Sequence, residues 1–298
     1  MSIRVGLFTL LACAMMAAGA PAAPDPTMAE ILATSPATDW RPLDPEYTVY
    51  IQLPKGRVII ELAPTFAPQH VANVRTLIRE GYFDGLAIIR VQDDYVVQWA
   101  DPDQKRPVGT ASATLKAEFD RSYDGATPFT PLPDPDTYAP ITGFTDGFPT
   151  ARDPATHTTW LTHCYGMVGA GRANDADSGG GTELYAVIGH APRQLDRNVT
   201  LLGRVVRGIE LMSSLPRGTE ALGFYKTPSE FTPMQSVKLA ADLPPDQRTP
   251  LQVLRTDTPT FTALLHNRRF RNDDWYKTSA GHIDVCNMPL PVRDAPSK

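Results

Sequence analysis

The residues of this chain best placed to do chemistry lie in one apolar stretch, Gly81 to Asp101: G-Y-F-D-G-L-A-I-I-R-V-Q-D-D-Y-V-V-Q-W-A-D. Leu86 to Val91 is apolar apart from one cation, Arg90. Asp93-Asp94 make a turn, and Tyr95 to Trp99 is apolar again apart from Gln98. Runs this apolar read as two short buried strands. A guanidinium among them needs company, because it is almost never fully buried without a partner. Two readings stand. Arg90 pairs with a nearby carboxylate, or it sits at the mouth of an apolar groove with its fixed donors aimed at a ligand.

Other chemistry-bearing types do not assemble into a site. Gly171 to Gly181 is rich in Gly, Asp and Asn. As a phosphate loop it lacks a following Lys, and its two Asp would repel the anion. Asn174, Asp175 and Asp177 carry no loop-closing Glu for calcium. The six histidines are scattered, with none at i, i+4 from another, so no metal site and no cofactor is expected. A formal net charge of −5 argues against a general nucleic-acid or membrane-surface binder.

The elements that must position Arg90 follow from pattern. Thr48 to Leu53 and Arg57 to Leu62 flank the turn residues Pro54-Lys55-Gly56 and read as a hairpin. Ala67 to Glu80 reads as a helix, with Pro68 in its first turn, one stripe of Val71, Val74, Leu77 and Ile78, and Gly81 at its end. His70 and Asn73 are placed at its surface or cap. Strands are read at Cys164 to Gly169, Leu184 to Ile188, Thr200 to Val206 and Val237 to Ala241, and a short helix at Gly208 to Leu215. Asp101 to Trp160 has weak pattern and is read as carrying an insertion loop of about thirty residues. Its dispersed aromatics, Phe129, Tyr138, Phe144 and Phe148, suggest that it packs on something and borders the groove. Beyond Asp242, a helix is read at Thr260 to His266, capped by Thr258. A solvated charged cluster is read at Arg268, Arg269, Arg271, Asp273 and Asp274, and a strand at His282 to Cys286.

Three blocks in order carry a family resemblance: the Arg90 stretch, then G-M-V-G-A-G-R-A-N-D-A-D-S-G-G-G-T-E-L-Y-A-V-I-G (Gly166 to Gly189), then L-D-R-N-V-T-L-L-G-R-V-V-R-G-I-E (Leu195 to Glu210). Together they resemble the cyclophilin-type peptidyl-prolyl isomerases, from about Tyr47 to Leu243. The resemblance implies a mainly β fold, a closed eight-stranded antiparallel barrel capped by two helices. It implies catalytic roles for Arg90 and Gln98, and substrate-binding roles for Tyr95, Val96, Gly171, Glu183, Tyr185 and Leu195. Tyr95, Val96, Tyr185 and Leu195 would form the proline pocket, and Gly171 would line the groove with backbone. The family's usual Gly-Gly-Asp after the glutamine is Trp99, Ala100 and Asp101 here, which demands changed local packing. Glu183 replaces a glutamine that contacts substrate backbone, so it loses a donor and sets a charge beside Arg90. Gln194 stands where some members carry a tryptophan linked to cyclosporin binding, and Val199 where some carry a histidine. Weak cyclosporin sensitivity and reduced activity are expected.

The ends and the compartment complete the organisation. Arg4, the apolar run Val5 to Ala18 and Ala20-Pro21-Ala22 read as a cleaved signal peptide, 1–22. Leu10-Leu11-Ala12-Cys13 offers the competing reading of a lipid anchor. An arm (23–46, with one short helix at Thr27 to Ala33), a cyclophilin-like domain (47–243, insertion at about 103–160) and an extension (244–298) follow. A periplasmic location is expected. There Cys164 and Cys286 would form a disulfide or remain two buried thiols. The expected partners are proline-containing or unfolded exported polypeptides, with no nucleic acid and no stable membrane span, and the protein acting as a monomer. The alternative function is a catalytically weak module that holds proline-containing segments.

Overall fold

The computed structural model describes residues 25–272 and 275–296. The signal sequence with Cys13, and the Asp273-Asp274 part of the charged cluster, lie outside the described residues. The expected hairpin is present as β1 (Thr48–Leu53) and β2 (Gly56–Leu62). The site stretch gives β3 (Ala87–Val91) and β4 (Val96–Ala100). The later blocks give β5 (Met167–Ala170), β6 (Leu184–Val187) and β7 (Leu201–Arg207), followed by β8 (Thr232–Pro233) and β9 (Ser236–Leu239). All nine form one antiparallel sheet in the order β8-β3-β4-β6-β5-β7-β2-β1-β9.

The sheet is a curled half-barrel of nine strands where eight were expected. The count differs because the last segment changes partner midway. Met234 N–H donates to Leu86 O at 2.9 Å, and Gln235 N–H donates to Gln52 O at 2.8 Å. The two edge strands are thus successive pieces of one chain segment.

Among the described residues four α-helices stand where two barrel caps and two peripheral helices were read: α1 (Met28–Ala33), α2 (Pro68–Arg79), α3 (Ile209–Ser213) and α4 (Pro259–Arg269). Helix α2 buries Val71, Val74, Leu77 and Ile78 in the core of the large sheet, against Trp99, Leu184 and Val237. Helix α3 adds Met212, which is fully buried. It starts from Gly208 at φ +85°, where a Cβ would fall 2.6 Å from Arg57 O, so only glycine fits the approach.

The insertion corrects the reading of a loop. Residues Arg121–Ser122, Thr130–Pro131, Ile141–Thr145, Phe148–Asp153 and Thr158–Leu161 form a five-stranded antiparallel sheet. Its central hairpin turns at Asp146 (φ +50°) and Gly147 (φ +80°), the double positive φ that Asp-Gly favours between strands. A third sheet joins Trp40–Pro42, Leu251–Leu254 and Val292–Asp294. The strand read at His282 to Cys286 is absent; that stretch includes the start of a 3-10 turn, Val285–Asn287, held by Asp284 accepting from Cys286 N–H at 2.7 Å.

Arm, insertion and extension share a second core. Ile31 and Trp40, then Phe144 and Phe148, then Phe261, Leu264 and Leu265 are buried together, against Ala63, Met167 and Leu201 of the large-sheet region. Phe144 and Phe261 meet edge-on with centroids 5.1 Å apart, an arrangement that adds to area burial. Cys164 and Cys286 are disulfide-bonded, Cα–Cα 4.9 Å. Arg269, read as part of a solvated face, instead forks through Nε and Nη2 onto the buried Asp134 carboxylate of the insertion, each at 2.8 Å. Phe261→Ala should therefore cost about 3–5 kcal/mol, checked by urea unfolding followed through tryptophan fluorescence, since Trp40 lies in the same core.

Candidate active site

Alternation along the strands sorts the site stretch onto two faces. Val91, Val97, Trp99, Leu184 and Ala186 point into the main core. Arg90, Gln98 and Tyr185 therefore stand on the opposite face. They also stand in one row: Arg90 is opposite Gln98, Gln98 is opposite Tyr185, and Tyr185 is opposite Gly169. The row depends on an irregularity. The register of β3 against β4 shifts between Ile88 and Arg90, so Ile88 pairs with Trp99 and Arg90 with Gln98. Without that bulge, Ile89 would face Gln98 and the guanidinium would be turned away. Trp99 is 1% exposed and fills the core beneath α2. Its bulk is absorbed on the face away from the site.

Arg90 is half-buried and held on three sides. Nη1 donates to Gln98 Oε1 at 2.8 Å, Nε donates to Leu222 O at 2.7 Å, and Nη2 donates to Gln92 Oε1. Three of its five N–H groups are so engaged, and each terminal nitrogen keeps a second N–H. The guanidinium lies 5.3 Å from the Phe224 ring centre and 5.8 Å from that of Tyr95, within cation–π range. Burial pulls it below the ordinary arginine value, while Tyr95 and Glu183 pull it back.

The feared Glu183–Arg90 pair takes another form. Gln98 lies between them: its carbonyl oxygen accepts from Arg90 and its Nε2 donates to Glu183 Oε1. Gly171 packs against the same carboxylate; its N–H donates to Glu183 O at 2.8 Å, and a Cβ there would fall 2.2 Å from Oε1. Val96, Tyr185 and Val187 form a small buried apolar cluster with Tyr95 and Val199 at its edge. Leu195, expected in the proline pocket, is half-buried in a 3-10 turn (Arg193–Leu195) and is not part of that cluster.

Sequence reasoning missed four neighbours. Gln92, Leu222 and Phe224 contact Arg90. Leu222 takes left-handed backbone (φ +59°), which costs a non-glycine residue about 1–2 kcal/mol. His163 is fully buried behind Tyr185. No local pattern marks Leu222, Phe224 and His163, since their contacts are long-range, whereas Gln92 lies two positions from Arg90. On α2, His70 and Asn73 are not surface caps. His70 is buried, and Glu118 accepts from its Nδ1 at 2.7 Å and from its backbone N–H at 2.9 Å. Asn73 bonds to Ser112 O at 2.8 Å and Gly180 O at 2.7 Å, fastening the insertion's first part to the glycine loop. Among the described residues no group of three His, Cys, Asp or Glu is arranged to hold a metal ion.

Residues 48–239 match the family described as cyclophilin type peptidyl-prolyl cis-trans isomerase/CLD. The chain belongs to this family. A probable peptidyl-prolyl cis-trans isomerase of Brucella suis is 27% identical over 180 residues, 60% of this chain and 76% of that protein. Human peptidyl-prolyl cis-trans isomerase-like 1 is 24% identical over 217 residues, 72% of this chain and 99% of that protein. The crystal structure of cyclophilin AquaCyp293 from Hirschia baltica matches with a TM-score of 0.70 and 27% identity, covering 92% of this chain and 100% of that one. That coverage extends well past the cyclophilin segment, so most of the accessory structure has a counterpart there. This chain is thus a cyclophilin-type isomerase with a folded insertion.

Burial holds the Glu183 carboxyl above its ordinary range, with Arg90 opposing. The folded protein then binds this proton more tightly than the unfolded chain does. The group contributes no cost below the ordinary carboxylate value, where both states are protonated, and it lowers stability as the pH rises through the folded value. Glu183→Gln should raise the melting temperature near neutral pH, and the gain should shrink as the pH falls through the carboxylate range. Thermal unfolding of both proteins across pH 3–8 (approximately the span of carboxylate titration) checks this.

Proposed function

We propose that this cyclophilin accelerates X–Pro isomerisation in exported polypeptides as they fold, without a covalent intermediate, Arg90 bonding to the prolyl nitrogen. The observation that carries this is the row Arg90–Gln98–Tyr185 on the face away from the core, with a half-buried guanidinium beside a small apolar cluster. An X–Pro bond resists rotation by about 18–20 kcal/mol because the nitrogen lone pair is delocalised into the carbonyl. In the twisted state that lone pair is free and accepts a hydrogen bond. A guanidinium stays charged, and its remaining N–H groups are aimed in fixed directions. Apolar surroundings strengthen that bond, and they do so most in the twisted state, where it forms. Val96, Tyr185 and Tyr95 would receive the proline ring, and the Gly171 backbone would border the groove.

Export is supported by the N-terminal sequence pattern and by the Cys164–Cys286 bond, which suits an oxidising compartment. We place the protein in the periplasm as a monomer, acting on proline-containing segments. No helix among the described residues is long and apolar enough to cross a membrane.

A second reading has one observation in its favour. Glu183 occupies the Gln98 amide, the donor that would otherwise hold substrate backbone, so binding with slow turnover follows. The two readings separate in one assay of Ala-Pro peptide isomerisation. Arg90→Ala should lower kcat/KM about 10²-fold, and Glu183→Gln should raise it. A wild-type protein that binds peptide without accelerating exchange would favour the binding module.

A further inference from the structure

Behind the pocket runs a buried polar chain that the isomerase chemistry does not call for. Tyr185 is 7% exposed, and its hydroxyl lies 2.9 Å from His163 Nε2, the two rings stacked 9° from parallel. His163 is fully buried. Its Nδ1 lies 3.0 Å from Asp196 Oδ1, which also accepts from His163 backbone N–H at 2.8 Å. Asp196 Oδ2 accepts from Arg193 Nε at 2.6 Å. Arg193, 4% exposed, forks through its other two nitrogens onto Asp136 at 2.9 and 3.1 Å. Asp136 belongs to the insertion and is fixed by the backbone N–H groups of Tyr138 and Ala139, each at 2.9 Å.

The donor inventory sets the direction of every bond. An ionised carboxylate only accepts, so His163 carries its proton on Nδ1 toward Asp196. In the neutral ring Nε2 is then an acceptor, and the Tyr185 hydroxyl donates to it. Burial pushes that hydroxyl's ionisation up, so the donor persists. A phenylalanine at position 185 would need none of these partners. Burying five polar side chains is tolerable only when all are bonded. Here they are, and the last link lies in the insertion.

We propose that His163, backed by Asp196, Arg193 and the insertion's Asp136, is a positioning residue for the proline pocket, fixing the Tyr185 ring through its hydroxyl. The insertion is then a working part of the active site. This rests on the isomerase reading for the pocket's use, but its test does not need turnover.

The test is a double-mutant cycle on the full mature chain, reading KM and kcat for an Ala-Pro peptide, and peptide Kd by NMR titration alongside. Tyr185→Phe and His163→Ala should each weaken binding about fivefold, the worth of one ordinary hydrogen bond, with kcat changing less. The double variant should be no weaker than either single one, and His163→Gln, which can still accept from the hydroxyl, should recover most of the loss. If His163→Ala does not fold, Asp136→Asn takes its place and should show the same non-additivity with Tyr185→Phe. Losses that multiply, or a fall in melting temperature with KM and Kd unmoved, would overturn the proposal. Absent turnover in wild type would count against the isomerase reading alone, because Kd still reports the coupling.

Discussion

A guanidinium drawn half out of water on a sheet face has to be met by acceptors, and much of the site's construction follows from that. The bulge before Arg90 sets it opposite Gln98. The turn after α3 bends through a left-handed Leu222 and offers its carbonyl. Gln92 closes the third side. None of these acceptors is a carboxylate, so the charge is held in place without being neutralised. A direct ion pair would satisfy the guanidinium better and would also occupy it; here the Glu183 carboxylate reaches it through Gln98.

The second constraint is the surplus chain. The insertion's own buried cluster is small, Ala139, Ala151 and Trp160, and the larger core is one it shares with the arm and the extension. Together they bury Trp40, Phe144, Phe148 and Phe261 against the large-sheet region, and the Cys164–Cys286 bond joins the segment just after the insertion to the extension. Charged groups span the joint as well. Glu61, buried on β2, accepts from Arg41 of the arm at 2.6 Å and from Arg204 of β7 at 3.4 Å. Segments that look peripheral along the sequence are thereby locked to the sheet that carries the site.

What was legible in the sequence follows the range of the interactions. Partial alternation marks β1 and β2, a stripe of period 3.6 marks α2, continuous apolar runs mark the site strands, and the Thr258 cap marks α4. Arg90 and Gln98 stood out as the polar exceptions in an apolar run, and family resemblance gave them roles. The insertion's sheet stayed hidden because its strands are two to six residues long and interrupted by proline. One signal was there to be read: Asp146-Gly147 between Phe144 and Phe148 is hairpin chemistry. His70, Asn73 and His163 were misjudged or passed over because their partners lie 39 to 107 positions away, or in His163's case 22 and 33. The bulge at Ile89 has no local signature at all, yet it decides which side chain faces Gln98.

The central claim is that Arg90 is the group that meets the prolyl nitrogen. The most direct measurement follows the Arg90 Nη–H resonances by NMR, assigned with Arg90→Lys, while an Ala-Pro peptide is titrated against an Ala-Ala control. The account predicts that the resonances shift with the proline peptide, in step with cis–trans exchange cross-peaks on that peptide, and stay still with the control. Exchange catalysed at full rate while the Arg90 signal remains unmoved, or persists unchanged in Arg90→Lys, would contradict it.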